Sequence, residues 1–413
     1  MTKSHRFDDL KKSIVKAAVI RGLIQRRDAG TFASGFGVLL ADFEDLIDEG
    51  RSVEALELIE LTMHKMETVW DQVDDSKGDM GDVFRELQIQ HHDACKAVKP
   101  DRKKLARHLF DWALASDYDA FHDAPEVYAE VLGIDGMVEL GRPIDDAFAH
   151  GADEWGKGHT TRLLRDWSVT LADRAKDFDK LLQVLTRDVS SSHRFLEIAQ
   201  ACRRYGRMDL AVAWAEKGVR TPFRGGVSPS LKSFLAHLYA DQGKIDPAFK
   251  LLWGNFEQAS VRHVEAYREL KEVGEKVGFW KDWQELALDH LRTEKSKDSL
   301  IRVLISDGLL RKANEEAALH GCSIPVWTEL AEALADDGEL QLAYSTYKDI
   351  FGFTMKEYNG THGRSKVHET IRKMWALATQ MGKQVEFEVW LEQMKTLFKR
   401  RTGFLNDLKR LGP

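Results

Sequence analysis

The apolar positions along this chain recur with a helical period almost from end to end. Segment 53–69, VEALELIELTMHKMETV, places Ala55, Leu58, Ile59, Met63 and Met66 on one stripe, the i, i+3, i+4, i+7 pattern of a helix that buries one face. Segments 102–116, 171–186, 231–240 and 384–398 have the same pattern. Alternating apolar and polar runs closed by Asn-Gly or Asp-Gly are almost absent, so strands are not expected. The helical signal is weakest over 215–229, where Thr221, Pro222, Gly225, Gly226 and Pro229 cluster; this reads as a loop between modules.

Within the helical pattern lies a repeat. Ile198–Ala211 (IAQACRRYGRMDLA), Leu235–Ala248 (LAHLYADQGKIDPA) and Leu330–Ala343 (LAEALADDGELQLA) align without gaps. Each has a glycine eight positions after its start and an alanine five positions later. Gly206, Gly243 and Gly338 stop one helix by taking a left-handed conformation that costs glycine little. Asp209 and Asp246 then open the next helix, where a negative charge suits the positive helix end. Ala211, Ala248 and Ala343 stand where two antiparallel helices approach closely. Looser copies follow Gly50, Gly278, Gly308 and Gly382. Successive glycines from Gly206 to Gly338 are 30 to 37 residues apart, and Gly338 to Gly382 is 44. These periods resemble those of tetratricopeptide-type helical hairpins, without the full set of large consensus residues. The expected fold is all-α, an α-solenoid of degenerate TPR-like hairpins. Trp214, Trp253, Trp283 and Trp327 flank the turns and are expected to fill the space between helices, with Trp214 and Trp253 buried between successive hairpins.

Composition narrows the class without naming a function. The 413 residues carry a net charge of −7, 43% hydrophobic and 31% charged residues, so the chain is neither disordered nor a general coat for nucleic acid. A length of roughly 100–200 residues per domain suggests two to four domains or one long array. The expected division is an N-terminal helical region over 1–150, central repeats over 151–229, and C-terminal TPR-like repeats over 230–413 with a basic capping helix. No apolar run approaches the ~20 residues of a membrane helix. The opening MTKSHRFDDLKKSIVKAAVIRGLI reads as an amphipathic first helix, not a signal or transit peptide. Cys95, Cys202 and Cys322 cannot form a disulfide framework or a four-thiolate zinc site, and unpaired thiols suit the cytoplasm.

Several strings together carry a family resemblance: Val73–Gly78 (VDDSKG), Leu87–Pro100 (LQIQHHDACKAVKP), Leu105–Phe110 (LARHLF), Tyr128–Gly136 (YAEVLGIDG) and Lys399–Leu405 (KRRTGFL). The chain resembles the long C-terminal helical region of bacterial SWIM-type zinc-finger proteins, and a set of stand-alone proteobacterial proteins made of that region alone, from about Leu40 onward. The Cys-x-Cys and Cys-x-His pairs of a SWIM finger do not occur here. The resemblance therefore implies a helical-repeat interaction region and carries over no zinc ligand and no catalytic residue.

Candidate chemistry is sparse. His91 and Cys95 stand four apart on one helix face and offer two metal ligands, but a structural zinc needs four and no second Cys/His pair has the spacing, so no metal and no cofactor is expected. From Asp75, Glu86 falls twelfth as in a calcium loop, yet Lys77 and Met80 occupy places for an acid or amide and a glycine. Asp74, Asp75 and Ser76 read better as caps of the next helix, or as a docking site for a basic partner. Gly35-Phe36-Gly37 has no strand before it and is not a nucleotide fingerprint. The stretch 395–410 mixes Lys395, Lys399, Arg400, Arg401, Lys409 and Arg410 with Phe398, Phe404 and Leu405, which suits either phosphate contact or a terminal cap anchored by Leu397, Phe398 and Phe404. No GxSxG, Cys-His-Asn or HExxH pattern is present. The reading that follows is a non-enzymatic scaffold for protein–protein interaction, with Asp74, Asp75, Ser76, Lys399, Arg400 and Arg401 as candidate contact residues. The alternatives are a nucleic-acid-associated accessory protein, or an enzyme whose site is built in a helical cleft.

Overall fold

The computed structural model describes residues 3–149, 158–259, 262–358 and 361–411. Its described residues are helical throughout apart from turns and one isolated parallel bridge, Ile24 to Val73. None of these helices is long and apolar enough to cross a membrane. The fold is an all-α solenoid of helical hairpins, and it divides into two compact units, Met1–Ala211 and Val212–Pro413. The boundary expected after residue 150 lies outside the described residues.

The first unit contains α1 (Lys3–Ala17), α2 (Ala29–Gly37), α3 (Leu40–Asp48), α4 (Ser52–Trp70), α5 (Asp79–Val98), α6 (Arg102–Ala115), α7 (Ala124–Val127), α8 (Ala129–Ala149, broken at Gly133), α9 (His159–Arg174), α10 (Phe178–Leu185) and α11 (Ser192–Arg204). The stripe expected as one segment over 171–186 is two helices, with a turn at 175–177 and a left-handed Lys176. The 53–69 stripe lies on α4, whose Ala55, Leu58, Ile59, Met63 and Met66 are fully buried. Gly35 and Gly37 sit inside α2, so they form no phosphate loop. Near the end of this unit Arg165 is buried, with its guanidinium 2.6 Å from Glu197 and 3.1 Å from Asp166. Arg194 joins Glu197 to Asp188.

The division falls within α12 (Met208–Arg220), after which the chain crosses the expected loop only at 221–228. The second unit continues with α13 (Pro229–Asp241), α14 (Ile245–Glu257), α15 (His263–Val277), α16 (Trp280–Thr293), α17 (Asp298–Ser306), α18 (Leu310–His320), α19 (Ile324–Asp336), α20 (Leu340–Thr354), α21 (Thr361–Gln380), α22 (Gln384–Leu397) and α23 (Thr402–Leu411). Consecutive helices pack in pairs, and α13, α15, α17 and α19 also pack each on the next, so the first helices of successive hairpins form a row.

The repeat glycines explain the hairpins. Gly50, Gly206, Gly243, Gly278, Gly308, Gly338 and Gly382 all take φ between 70° and 86°. At each, the following residue donates its N–H five residues back, as in Arg207 to Cys202, Lys244 to Tyr239 and Glu339 to Leu334. This is the Schellman closure, which satisfies terminal carbonyls and turns the chain. A side chain at these seven sites would meet open space, so φ and not crowding selects glycine. Ala55, Ala211, Ala248, Ala313 and Ala343, five residues beyond their glycines, are fully buried where the paired helices meet. Trp283 and Trp327 are buried as expected. Trp253 and Trp214 are corrected to half-buried: Trp253 leans on Phe249, Phe256 and His290, while Lys217 covers Trp214. Both rings keep part of their surface toward solvent, Trp253 while packed against the core.

Candidate functional site

Three helices of the first unit meet at one carboxylate. Glu60 on α4 faces His91 on α5 and His108 on α6; its Oε1 is 3.2 Å from His91 Nε2 and 3.1 Å from His108 Nε2. The three donor atoms lie within 4.8 Å of one another. His91 is wholly buried, and its Nδ1 meets the Tyr128 hydroxyl at 2.8 Å. Tyr128 comes from the turn entering α8 and its hydroxyl also donates to the Gln88 carbonyl at 3.3 Å. Three of the strings that carry the family resemblance thus converge here, through His91, His108 and Tyr128.

The electrostatics follow from this packing. Burial pushes the Glu60 carboxyl up, but the hydrogen bonds and charges of His108 and His91 outweigh it and hold the group at about 2. The Glu60 hydrogen bond raises His108 above the ordinary histidine value, against burial. Burial lowers His91, more than Glu60 raises it. Cys95, paired with His91 by sequence spacing, lies 3.8 Å from Nδ1, on the side of the ring away from Glu60. Burial pushes its thiol up to about 12, so it is no thiolate at neutral pH.

Glu60 and His108 open onto a cleft of about 590 Å³ between α4 and the end of α6. Glu60, His64 and Glu67 line it from one polar stripe of α4, with Asp71 just past the helix end. Glu67 accepts from Ser116 Oγ at 2.5 Å and from Trp112 Nε1 at 2.9 Å. Asp71 accepts from the Tyr118 hydroxyl at 2.6 Å, and Trp70 stacks on Tyr118 with centroids 4.5 Å apart. Burial, then Asp71, raises the Tyr118 phenol. These pairs tie α4 to the end of α6 and the turn after it, and leave Glu60, His64 and His108 as the polar opening of the cleft.

The other candidate residues lie elsewhere. Asp75 accepts from the backbone N–H of Met80 at 2.8 Å and of Gly81 at 3.2 Å, so it caps α5. Asp74 instead accepts from the Ser76 N–H in a local turn, and its own N–H bonds Ile24. Lys399 and Arg400 are exposed in the turn between α22 and α23, while Arg401 donates to the Met355 carbonyl at 2.5 Å. The side chains of Lys409 and Arg410 lie outside those described. Of the anchors expected for a cap, Phe404 is fully buried and Phe398 packs on it, whereas Leu397 is 68% exposed and is corrected to a surface residue. Helical spacing alone does not separate the buried face of α22 from its neighbour, and Val385 and Val389 are exposed with Leu397.

The second unit carries two further features. His263, buried at the start of α15, has Nδ1 3.1 Å from Ser299 Oγ and Nε2 3.4 Å from Glu294, with His290 beside them. Along the row of first helices, Ser233 donates to Glu269, Arg302 pairs with Glu329, and Lys373 pairs with Glu332. Between α19, α20 and α21 this row opens a cavity of about 310 Å³, lined by Pro325, Thr328, Tyr347 and Ile350 together with Glu329, Glu332, Lys366, Glu369 and Lys373.

A family model described as a family of unknown function (DUF6880) matches residues 6–407. No curated protein matches the chain. Among solved structures, a circular tandem repeat protein with novel repeat topology is 14% identical, with 98% of each chain covered and a TM-score of 0.19. The TPR domain of P58(IPK) is 11% identical over 84% of this chain and 99% of its own, with a TM-score of 0.21. Human IFIT1, solved as a dimer with m7Gppp-AAAA, is 13% identical over 95% of this chain and 94% of its own, with a TM-score of 0.23. Likenesses at these scores carry no argument about function, which rests on the residues themselves.

Proposed function

The chain belongs to that family of unknown function, and we propose that it is a helical-repeat scaffold whose second unit docks a protein partner along the row formed by α13, α15, α17 and α19, together with α21, which Lys373 links to α19. The observation that carries this reading is the charge pattern of the row. Arg302 on α17 is matched by Glu329 on α19, and Lys373 on α21 by Glu332 on α19, so cation, anion and cation follow one another across these three helices. Such a surface offers no continuous basic stripe for a phosphate backbone, whose binding is dominated by accumulated cations. It suits a polypeptide of mixed charge, which exchanges ion pairs with little net attraction and gains specificity from their register. The cavity, where Pro325, Tyr347 and Ile350 lie among charged side chains of α19 and α21, supplies a pocket for an anchoring side chain with an apolar body and a polar or charged tip, and such anchors are where binding energy concentrates in protein interfaces. The cytoplasm suits this role, because Cys95, Cys202 and Cys322 are all free thiols.

A second reading, a nucleic-acid-associated accessory protein, draws on Lys399 and Arg400, exposed together at a turn, and on the resemblance to the helical region of SWIM-type proteins. The two are separated by co-purification from the native host. Wild-type chain, a Thr328→Arg variant that fills the cavity, and a Lys399→Ala/Arg400→Ala/Arg401→Ala variant are compared for both protein and nucleic acid. The scaffold reading expects a protein lost with Thr328→Arg and kept with the triple variant. Nucleic acid bound by wild type and lost with the triple variant favours the second reading.

A further inference from the structure

We propose that Glu60, His91 and His108 bind one divalent transition-metal ion of the zinc class, with an open coordination position facing the cleft between α4 and α6. The site lies in the first unit and goes beyond the docking role argued for the second.

A tetrahedral ion with bonds of about 2.0–2.1 Å has neighbouring ligand atoms about 3.3–3.4 Å apart. Glu60 Oε1 stands 3.2 Å and 3.1 Å from the two imidazole Nε2 atoms, and all three donors fall within 4.8 Å. The donors come from three successive helices held by a packed core, so little rearrangement separates this arrangement from a coordination triangle.

His91 is also supported from behind. A metal-ligating imidazole places its other nitrogen on a fixed partner, which sets the tautomer and the ring plane. His91 Nδ1 meets the Tyr128 hydroxyl at 2.8 Å, and that hydroxyl has its own acceptor, the Gln88 carbonyl at 3.3 Å. With the phenol proton on Gln88, Nδ1–H donates to the Tyr128 oxygen. Nε2 is then free of its proton and available to a cation seated between it and Glu60; the other tautomer, with Nε2–H donated to Glu60, is the ion-free arrangement.

Two imidazoles and one carboxylate suit zinc and its neighbours, whereas magnesium and calcium want oxygen ligands. Cys95 stands on the Nδ1 side of His91 and supplies no sulfur to the triangle. Three protein ligands with the remaining direction open to a cleft of about 590 Å³ is the arrangement of a metal that takes a water or a ligand from solution, unlike a closed four-ligand structural site.

The test uses the full-length chain, stripped with a chelator and titrated with Zn²⁺ by calorimetry and with Co²⁺ by visible absorption. The expected result is one site lost in His108→Asn and in Glu60→Gln, kept in His263→Asn, and weakened about 10-fold to 100-fold in Tyr128→Phe. Circular dichroism confirms that each variant is folded. X-ray absorption at the zinc edge of the loaded wild-type protein gives a readout independent of any variant, with imidazole and oxygen donors expected. No saturable binding, binding unchanged in both ligand variants, loss only in His263→Asn, or a shell containing sulfur overturns the proposal and leaves the triad as a hydrogen-bonded ion pair.

Discussion

Gly274 and Trp283 face each other across the α15–α16 hairpin: a Cβ built on Gly274 would stand 3.0 Å from Trp283 Cε3 and 3.1 Å from the Trp280 Cα. Trp283 occupies the position, five residues past the turn glycine, that holds a buried alanine in five other hairpins. Where the second helix carries an indole in place of a methyl, the first helix has dropped to glycine. The indole fills the space that the glycine leaves.

Gly274→Ala should therefore destabilise the chain. An alanine gains about 1 kcal/mol of helix propensity over glycine, but overpacking against a backbone atom and a packed indole costs about 1–3 kcal/mol. Urea unfolding should show a net loss, and Gly274→Ala/Trp283→Phe should recover part of it. A stabilised Gly274→Ala would show that the two helices can separate freely.

Asp75 should contribute as a cap and its neighbours little. Asp75→Ala removes an acceptor from the N–H groups of Met80 and Gly81 and should cost about 1 kcal/mol. Ser76→Ala should stay within about 0.5 kcal/mol, the range of an ordinary surface substitution. Equal losses in denaturant midpoint for the two would place the capping role elsewhere.

At the end of the array, Phe404→Ala should cost about 3–5 kcal/mol, since the ring is fully buried against Phe351, Tyr358 and Phe398. Leu397→Ala, on a 68% exposed side chain, should be within about 0.5 kcal/mol of wild type. Thermal melts of the two variants check the contrast.

Acid should destabilise the first unit through the Arg165 network. Burial raises Glu197 and Asp188, but Arg194 and Arg165 on the first, and Ser190 with the same arginines on the second, leave both carboxyls below their ordinary value. A depressed carboxyl stabilises the fold above its unfolded value of about 4, and the gain is lost as pH falls through that value toward the folded one. The melting temperature should therefore drop on acidification below about pH 4.5. Glu197→Ala should cost about 2 kcal/mol at pH 7, because it leaves the buried Arg165 guanidinium with Asp166 as its remaining ion-pair partner, and should flatten the acid limb. Parallel pH profiles of wild type and variant would contradict this.

The parts of the fold that were legible in the sequence are local. A left-handed glycine and the alanine five residues beyond it are specified by the chain's own turn, so Gly206–Ala211, Gly243–Ala248 and Gly338–Ala343 could be read without knowing their surroundings. The Glu60 site could not. His91 and His108 lie 31 and 48 positions from Glu60, and only the packing of α5 and α6 on α4 turns them to one point. Spacing paired His91 with Cys95, four residues away, and the ring's second nitrogen turned out to matter more. Leu397 fails for a related reason: α22 has two apolar edges, and periodicity does not say which one has a helix against it.

The docking row is tested most directly by site-specific photo-crosslinking in the native host, with a photoreactive residue at Thr328 inside the cavity of the row or at Leu319 on the exposed face of α18. The account predicts a discrete protein adduct from position 328, none of it from position 319, and its loss when Glu332→Lys and Lys373→Glu are each made alone. Equal labelling from both positions, or adducts from 328 that are nucleic acid, would contradict it.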